Sequence, residues 1–289
     1  MTYEGAVVVA VDDRDPDIPV LDWAAAEAAY RGTRLLVCHV CEWQSGQQAP
    51  RPMYESGDAT KADLRIGPER VVGAALDQLR RHHPDLAVTG AIGTGNPTRG
   101  LLTVGKEAAL IVVGARGVDG FAGLLMGSVS GQVAEHASCP VVVVRAARAG
   151  AADVVVGIDG SPESAHALEL GLEQARRTGG ALIALHAYRL PPVAAAYAPE
   201  PGVNTTSHRE LAERTLTAAL GEVEAANPDV KIERRVQHGP AARLLLAAAA
   251  DAAVLVVGAR GLGGFTGLVV GSVSQQVLRH AHCPVLVTR

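Results

Sequence analysis

Two stretches of the chain carry glycines and hydroxyls at one shared spacing, and that spacing suits the capture of an anion by backbone N–H groups. Gly114 and Gly117 are followed by Gly127-Ser128-Val129-Ser130, and Gly258 and Gly261 by Gly271-Ser272-Val273-Ser274. Glycine lets a backbone come close to a phosphate. Each Gly-Ser-Val-Ser opens a segment of helical pattern, where free N–H groups, the positive end of the helix dipole and two hydroxyls together make a phosphate cradle. Arg116 and Arg260, inside the two loops, could add charge-assisted contacts. An acidic residue, Asp12 or Asp159, ends the first apolar run of each half, and its carboxylate can accept hydrogen bonds from a sugar or a base edge. Glycines that only form tight turns, and aspartates that only cap helices, are the structural alternatives.

The elements that must position these residues occur twice. The segment from Gly114 aligns without gaps on the segment from Gly258, with about two-thirds of positions identical by direct count. The offset there is 258 − 114 = 144, whereas Asp12 and Asp159 are 159 − 12 = 147 apart, so the first copy carries three extra residues, placed in its long loop. A repeat this long, present twice, is a duplicated domain rather than a solenoid.

In the first copy the apolar runs Ala6 to Val11, Leu35 to Val40, Leu86 to Ala91, Leu110 to Val113 and Val141 to Arg145 read as strands. Helical patterns separate them: one containing Trp23 to Ala29, one reaching about His82, then Thr98 to Ala108 and Ser128 to His136. Continuous Val/Ile/Leu strands alternating with helices indicate an α/β fold with a parallel sheet covered on both faces. Right-handed crossovers make each copy a doubly wound, Rossmann-like domain. The weakly patterned stretch Ala146 to Ala152 reads as a linker, giving domains at 1–146 and 153–289.

Composition narrows the function classes. Aromatics are only 3% of the chain against 48% hydrophobic residues, so the cores are built from Val, Leu, Ile and Ala. A formal net charge of -4 gives no general attraction to nucleic acid or to an anionic membrane. With neither a signal-peptide pattern nor an apolar run long enough to span a bilayer, a cytoplasmic protein is expected. Cys38, His39 and Cys41 share one strand whose neighbouring side chains face opposite ways, so no metal centre is expected there.

The strand Val154 to Ile158 ending at Asp159-Gly160-Ser161, the Gly-Ala-Arg-Gly loops, the Gly-Ser-Val-Ser helix starts and the closing Cys-Pro-Val strands resemble the universal stress protein family. The resemblance covers almost the whole chain, as a tandem two-domain member of the family's ATP-binding branch. It implies five-stranded sheets in the order 3-2-1-4-5, of the adenine nucleotide alpha hydrolase-like type, and ATP as the ligand, alone or with Mg2+. It places Asp12 and Asp159 on the nucleoside and Val40 and Ala187 against adenine. Gly114, Arg116, Gly117, Gly127, Ser128, Val129 and Ser130 would surround ribose and phosphates in the first copy. Gly258, Arg260, Gly261, Gly271, Ser272, Val273 and Ser274 would do so in the second. The resemblance also implies that closing strands pair between domains; here the two copies in one chain can satisfy each other, and two such chains are expected to form a homodimer. The first copy departs from the pattern at Asp13-Arg14, which stand against Gly160-Ser161.

Turnover would need a general base or a nucleophile near the phosphates, and no acid–base pair adjoins the loops in sequence. His136 and His280 recur near helix ends, where a capping role is expected. His39 and His186 recur on the second strand as satisfied, partly buried side chains. The reading is a nucleotide-dependent regulator with an unidentified protein partner. An ATPase or nucleotidyl-transfer enzyme on the same fold is the first alternative, and a scaffold that binds no nucleotide the second.

Overall fold

The computed structural model describes residues 3–12, 17–41, 67–115, 126–145, 148–190, 205–262 and 270–289. The chain divides into two compact units, Met1–Val141 and Val142–Arg289.

In the first unit, strands β1 (Val7–Ala10), β2 (Leu35–Cys41), β3 (Val88–Thr94) and β4 (Leu110–Gly114) alternate with helices α1 (Ile18–Tyr30), α2 (Pro68–His82) and α3 (Pro97–Val104). The strands lie in the order β3-β2-β1-β4. Their pairings are parallel, with Val7 opposite both Leu35 and Leu110. Helix α4 (Ser128–His136) follows β4 and leads to β5 (Val141–Val144), the strand in which the division between the units falls.

The second unit repeats the plan. It comprises β6 (Val154–Gly157), α5 (Pro162–Thr178), β7 (Leu182–Tyr188), α6 (Thr205–Ala226), β8 (Ile232–His238), α7 (Ala241–Ala248), β9 (Val254–Gly258), α8 (Ser272–His280) and β10 (Val285–Thr288). The order β8-β7-β6-β9-β10 is 3-2-1-4-5 counted within the copy. Val154, Val155 and Val156 on β6, and Val254, Leu255 and Val256 on β9, are fully shielded from solvent. A strand covered on both faces needs apolar residues at successive positions, and burying each contributes about 1.5–3 kcal/mol.

Because β6 and β9 are neighbours while the chain leaves them toward opposite sides, the crevice beyond their C-terminal ends is where a doubly wound sheet admits a ligand. The turn out of β6 turns sharply at Gly160, whose φ of +88° lies in the left-handed region that glycine adopts without strain. Helix α5 is then capped at its start by Ser161, whose side chain accepts from the N–H of Ser164, and at its end by Gly179 in the left-handed conformation.

Strand and helix offsets place the three extra residues of the first copy. The second strands start 182 − 35 = 147 apart and the third strands 232 − 88 = 144 apart, so the insertion lies between Cys41 and Val88. Two elements of the first copy differ from the sequence expectation by more than one residue at an end. Strand β3 runs over Val88–Thr94 rather than Leu86 to Ala91, because its register on β2 continues to Cys41 opposite Thr94. Leu86 instead donates its N–H to His83 in the turn before the strand. Helix α3 stops at Val104, short of Ala108: Gly105 ends it, and Lys106 and Glu107 turn back onto Thr103 and Val104. Among the described residues no helix is long and apolar enough to cross a membrane.

Candidate nucleotide site

In the second unit the ends of β6, β7 and β9 and the starts of α7 and α8 surround a cavity of about 370 Å³. Ile158, Leu185, Ala187, Leu245 and Val257 give it an apolar slot. Asp159, Arg260, Gly261 and the run Gly271-Ser272-Val273-Ser274 give it polar walls. With Gly258, the nine residues that the resemblance sets around a ligand in the second copy all line this one cavity.

The helix start is built by backbone geometry. Gly271 is the N-cap of α8, at φ −72° and ψ 157°, and its N–H donates to the carbonyl of Ala259 at 2.7 Å. Ser274 Oγ donates to the Gly258 carbonyl at 2.6 Å, tying the first turn of α8 to the end of β9. The N–H groups of Ser272, Val273 and Ser274 have no acceptor within the helix. Ser272, beside them, is exposed. Ser274 lines the same cavity, but its proton is committed to the strand. Ser274→Ala should lower the stability of the second unit by about 1 kcal/mol in urea unfolding, without closing the cavity.

The first copy uses the same bonds. Gly127 caps α4 at φ −69° and ψ 155° and donates to Ala115 at 2.6 Å, and Ser130 Oγ donates to Gly114 at 2.5 Å. Ser128 is exposed and Val129 half-buried beside it, and Asp12 follows β1 at the same end of the sheet. Val40 packs its methyls on Gly93 and Gly100; a Cβ at Gly100 would lie 2.9 Å from Val40 Cγ2. Arg116 and Gly117, and the Asp13-Arg14 departure, lie outside the described residues.

Asp159 is the most constrained group in the second site. Its Oδ1 accepts from Ser161 N–H at 3.0 Å and from Ser161 Oγ–H at 2.6 Å, and its Oδ2 accepts from Leu262 N–H at 3.0 Å. Burial pushes the carboxyl up, but the hydrogen bonds from Ser161, Leu262 and Ser164 outweigh it and hold the group below its ordinary value of 3.8. A folded-state value below the unfolded one contributes stability above the unfolded value, and that stability is lost as pH falls through the folded value. Asp159→Asn should therefore flatten the fall of the urea midpoint below a pH of 3.8. Wild type, by contrast, should keep losing stability there.

The glycines of the loop have different reasons to be glycine. A Cβ on Gly261 would stand 2.2 Å from Asp159 Oδ2, and one on Gly258 would stand 2.9 Å from Glu163 Cβ. At Gly271 the nearest atom among the described residues would be the Ala259 carbonyl oxygen at 3.6 Å, an ordinary contact, and its backbone angles suit any residue. Among the described residues, then, neither packing nor conformation requires glycine at 271. Arg176, Arg209, Arg234 and Arg235 each hold a carboxylate. Arg260, exposed at the cavity, makes none of the ion pairs among the described residues.

The recurring histidines are tied to backbone. His39 and His186 each place Nδ1 on the carbonyl of the residue before the aspartate, Val11 at 2.9 Å and Ile158 at 2.8 Å. His136 places Nδ1 3.0 Å from the Gln132 carbonyl one turn back. A carbonyl only accepts, so Nδ1 carries the proton in all three. Cys38 is buried, with burial pushing its thiol up to about 11, and Cys41 Sγ donates to the Gly93 carbonyl. Among the described residues no three His, Cys, Asp or Glu side chains are grouped to hold a metal ion.

Sequence reading missed three participants. Ser161 is the donor that fixes Asp159, the Leu262 N–H reaches the same carboxylate from the loop after β9, and Leu245 of α7 closes the apolar slot. An Asp-x-Ser spacing just before a helix could have pointed to the first. The other two depend on how separate elements meet.

The model of the universal stress protein family matches this chain twice, over residues 5–145 and 152–289. A universal stress protein of Mycolicibacterium smegmatis is 33% identical over 299 residues, covering 99% of this chain and 97% of its own. One from Mycobacterium tuberculosis is 33% identical over 292 residues, covering 98% of this chain and 96% of its own. The crystal structure of a universal stress protein from Archaeoglobus fulgidus covers 100% of this chain and 97% of its own at a TM-score of 0.61; at 19% identity that likeness is one of fold. The chain belongs to the universal stress protein family, as a member with two tandem family domains.

Proposed function

We propose that this chain is an ATP-binding regulator, with adenine in the apolar slot of the second unit, ribose beside Asp159 and phosphates at the start of α8. The observation that carries the reading is Gly271, a glycine that neither backbone angle nor packing among the described residues demands, at the wall of a cavity that three helix N–H groups and Arg260 adjoin. The repeated cap and tie at Gly127 and Ser130 extend the proposal to the first copy. The proposed domain limits are 1–146 and 153–289.

Binding rather than turnover is favoured because Asp159, the carboxylate at the cavity, is held ionised by its donors and is a weak base at neutral pH. Occupancy then acts by favouring whichever conformation or assembly binds ATP better. Mass spectrometry of nucleotide released from freshly purified protein, counted per chain, tests the identity of the ligand. ATP at a hundredfold excess over its Kd should add about 2.7 kcal/mol to stability, whereas protein that carries no nucleotide and gains no heat stability from ATP would remove the proposal. A homodimer of chains whose closing strands pair within each chain, the assembly expected from the sequence, would sediment at twice the chain's 29.8 kDa.

A further inference from the structure

Asp159 reaches the cavity, yet the residue that sets its orientation does not line that cavity. Ser161 is only 4% exposed and gives both its N–H and its Oγ–H to Asp159 Oδ1. The same Oγ accepts the N–H of Ser164 at 3.2 Å, so the hydroxyl is held between the helix cap and the carboxylate. Oδ1 thus receives both Ser161 donors and Oδ2 receives Leu262 N–H. Oδ2 is the oxygen beside Gly261 in the cavity wall. The first copy has Arg14 where the second has Ser161, 161 − 147 = 14, so a guanidinium on a long stem replaces a short hydroxyl.

We infer that Ser161 is a positioning residue: it turns the Asp159 carboxylate so that one Oδ2 lone pair faces the bound ligand's hydroxyl, and it makes the second copy the tighter of two nucleotide sites. The inference rests on the nucleotide reading above. Among the described residues, the charged or titratable groups on the elements around Asp159 include Glu163 in the first turn of α5, His186 on β7 and Arg260 after β9, while α6 sets Thr215 beside Gly160. None of these governs the ionisation of Asp159, which follows from burial and the hydrogen bonds already named.

The test is a calorimetric ATP titration of the full chain across pH, on wild type, Ser161→Ala, Ser161→Thr, Asp159→Asn and the double variant Ser161→Ala/Asp159→Asn, with melting temperatures recorded alongside. Wild type should show two classes of site. Ser161→Ala should weaken the tighter class on the order of tenfold and move its acid limb to higher pH, because the carboxyl loses a donor. Ser161→Thr should restore both, and the double variant should bind no more weakly than Asp159→Asn alone. Two equal classes in wild type, an unmoved acid limb, or equal losses from Ser161→Ala with and without Asp159 would overturn the inference and leave Ser161 a helix cap only. A ligand-free readout separates this from failure of the nucleotide reading. By carbon-detected NMR the Asp159 carboxyl should titrate at higher pH in Ser161→Ala than in wild type, and an unchanged titration overturns the positioning role even if no nucleotide binds.

Discussion

Gly271→Asp should cost the second unit at least a hundredfold in ATP affinity, about 2.7 kcal/mol, while leaving its melting temperature unchanged or slightly raised. Gly271 already has the extended angles of an N-cap, and a Cβ there meets none of the described residues closer than 3.6 Å. An aspartate at that position can accept from the first-turn N–H groups and sits favourably at the positive end of the dipole. The side chain that steadies α8 thereby occupies the place of a phosphate. Calorimetric titration and thermal melting of the same sample check both halves. Binding that survives at wild-type strength would mean the anion, if there is one, lies elsewhere.

The second large effect comes from the other glycine of the motif, for the opposite reason. Gly261→Val places a Cβ 2.2 Å from Asp159 Oδ2, so the carboxylate must swing away and give up the bond from Leu262 N–H. Overpacking of this kind costs about 1–3 kcal/mol, and a lost hydrogen bond to a charged group a further 1.5–3 kcal/mol, so a destabilisation of about 3 kcal/mol in urea is expected. ATP binding should fall with it, since the carboxylate no longer faces the slot. A Gly261→Val protein as stable as wild type would show that the contact between Asp159 and the loop is dispensable. Two glycines of one sequence pattern thus separate: one is required by the protein itself, and the other is free unless a ligand requires it.

Much of this arrangement was legible in the sequence, and the limits have physical causes. The buried strands β1, β4, β6 and β9 announce themselves because a strand covered on both faces must be apolar throughout. Strand β3 is harder to place. It lies at the end of the order β3-β2-β1-β4, half-exposed, and its Gly90, Gly93 and Thr94 make no apolar run, so only its pairing with β2 fixes the register. At the site, residue types revealed the glycines and serines but not their tasks. That Ser130 and Ser274 hold helix to strand, and that Ser161 holds a carboxylate, depends on distances between elements.

One backbone bond carries an implication for engineering. Ala259 and Gly271 are stapled across the stretch 260–270, as Ala115 and Gly127 are across 116–126, so the mouth of each loop keeps its width whatever lies between. Lengthening a closed loop adds little entropic cost. A graft between the two copies should therefore keep the staple and, in the second copy, Gly261 and Leu262, which meet Asp159, so that the helix entrance is preserved.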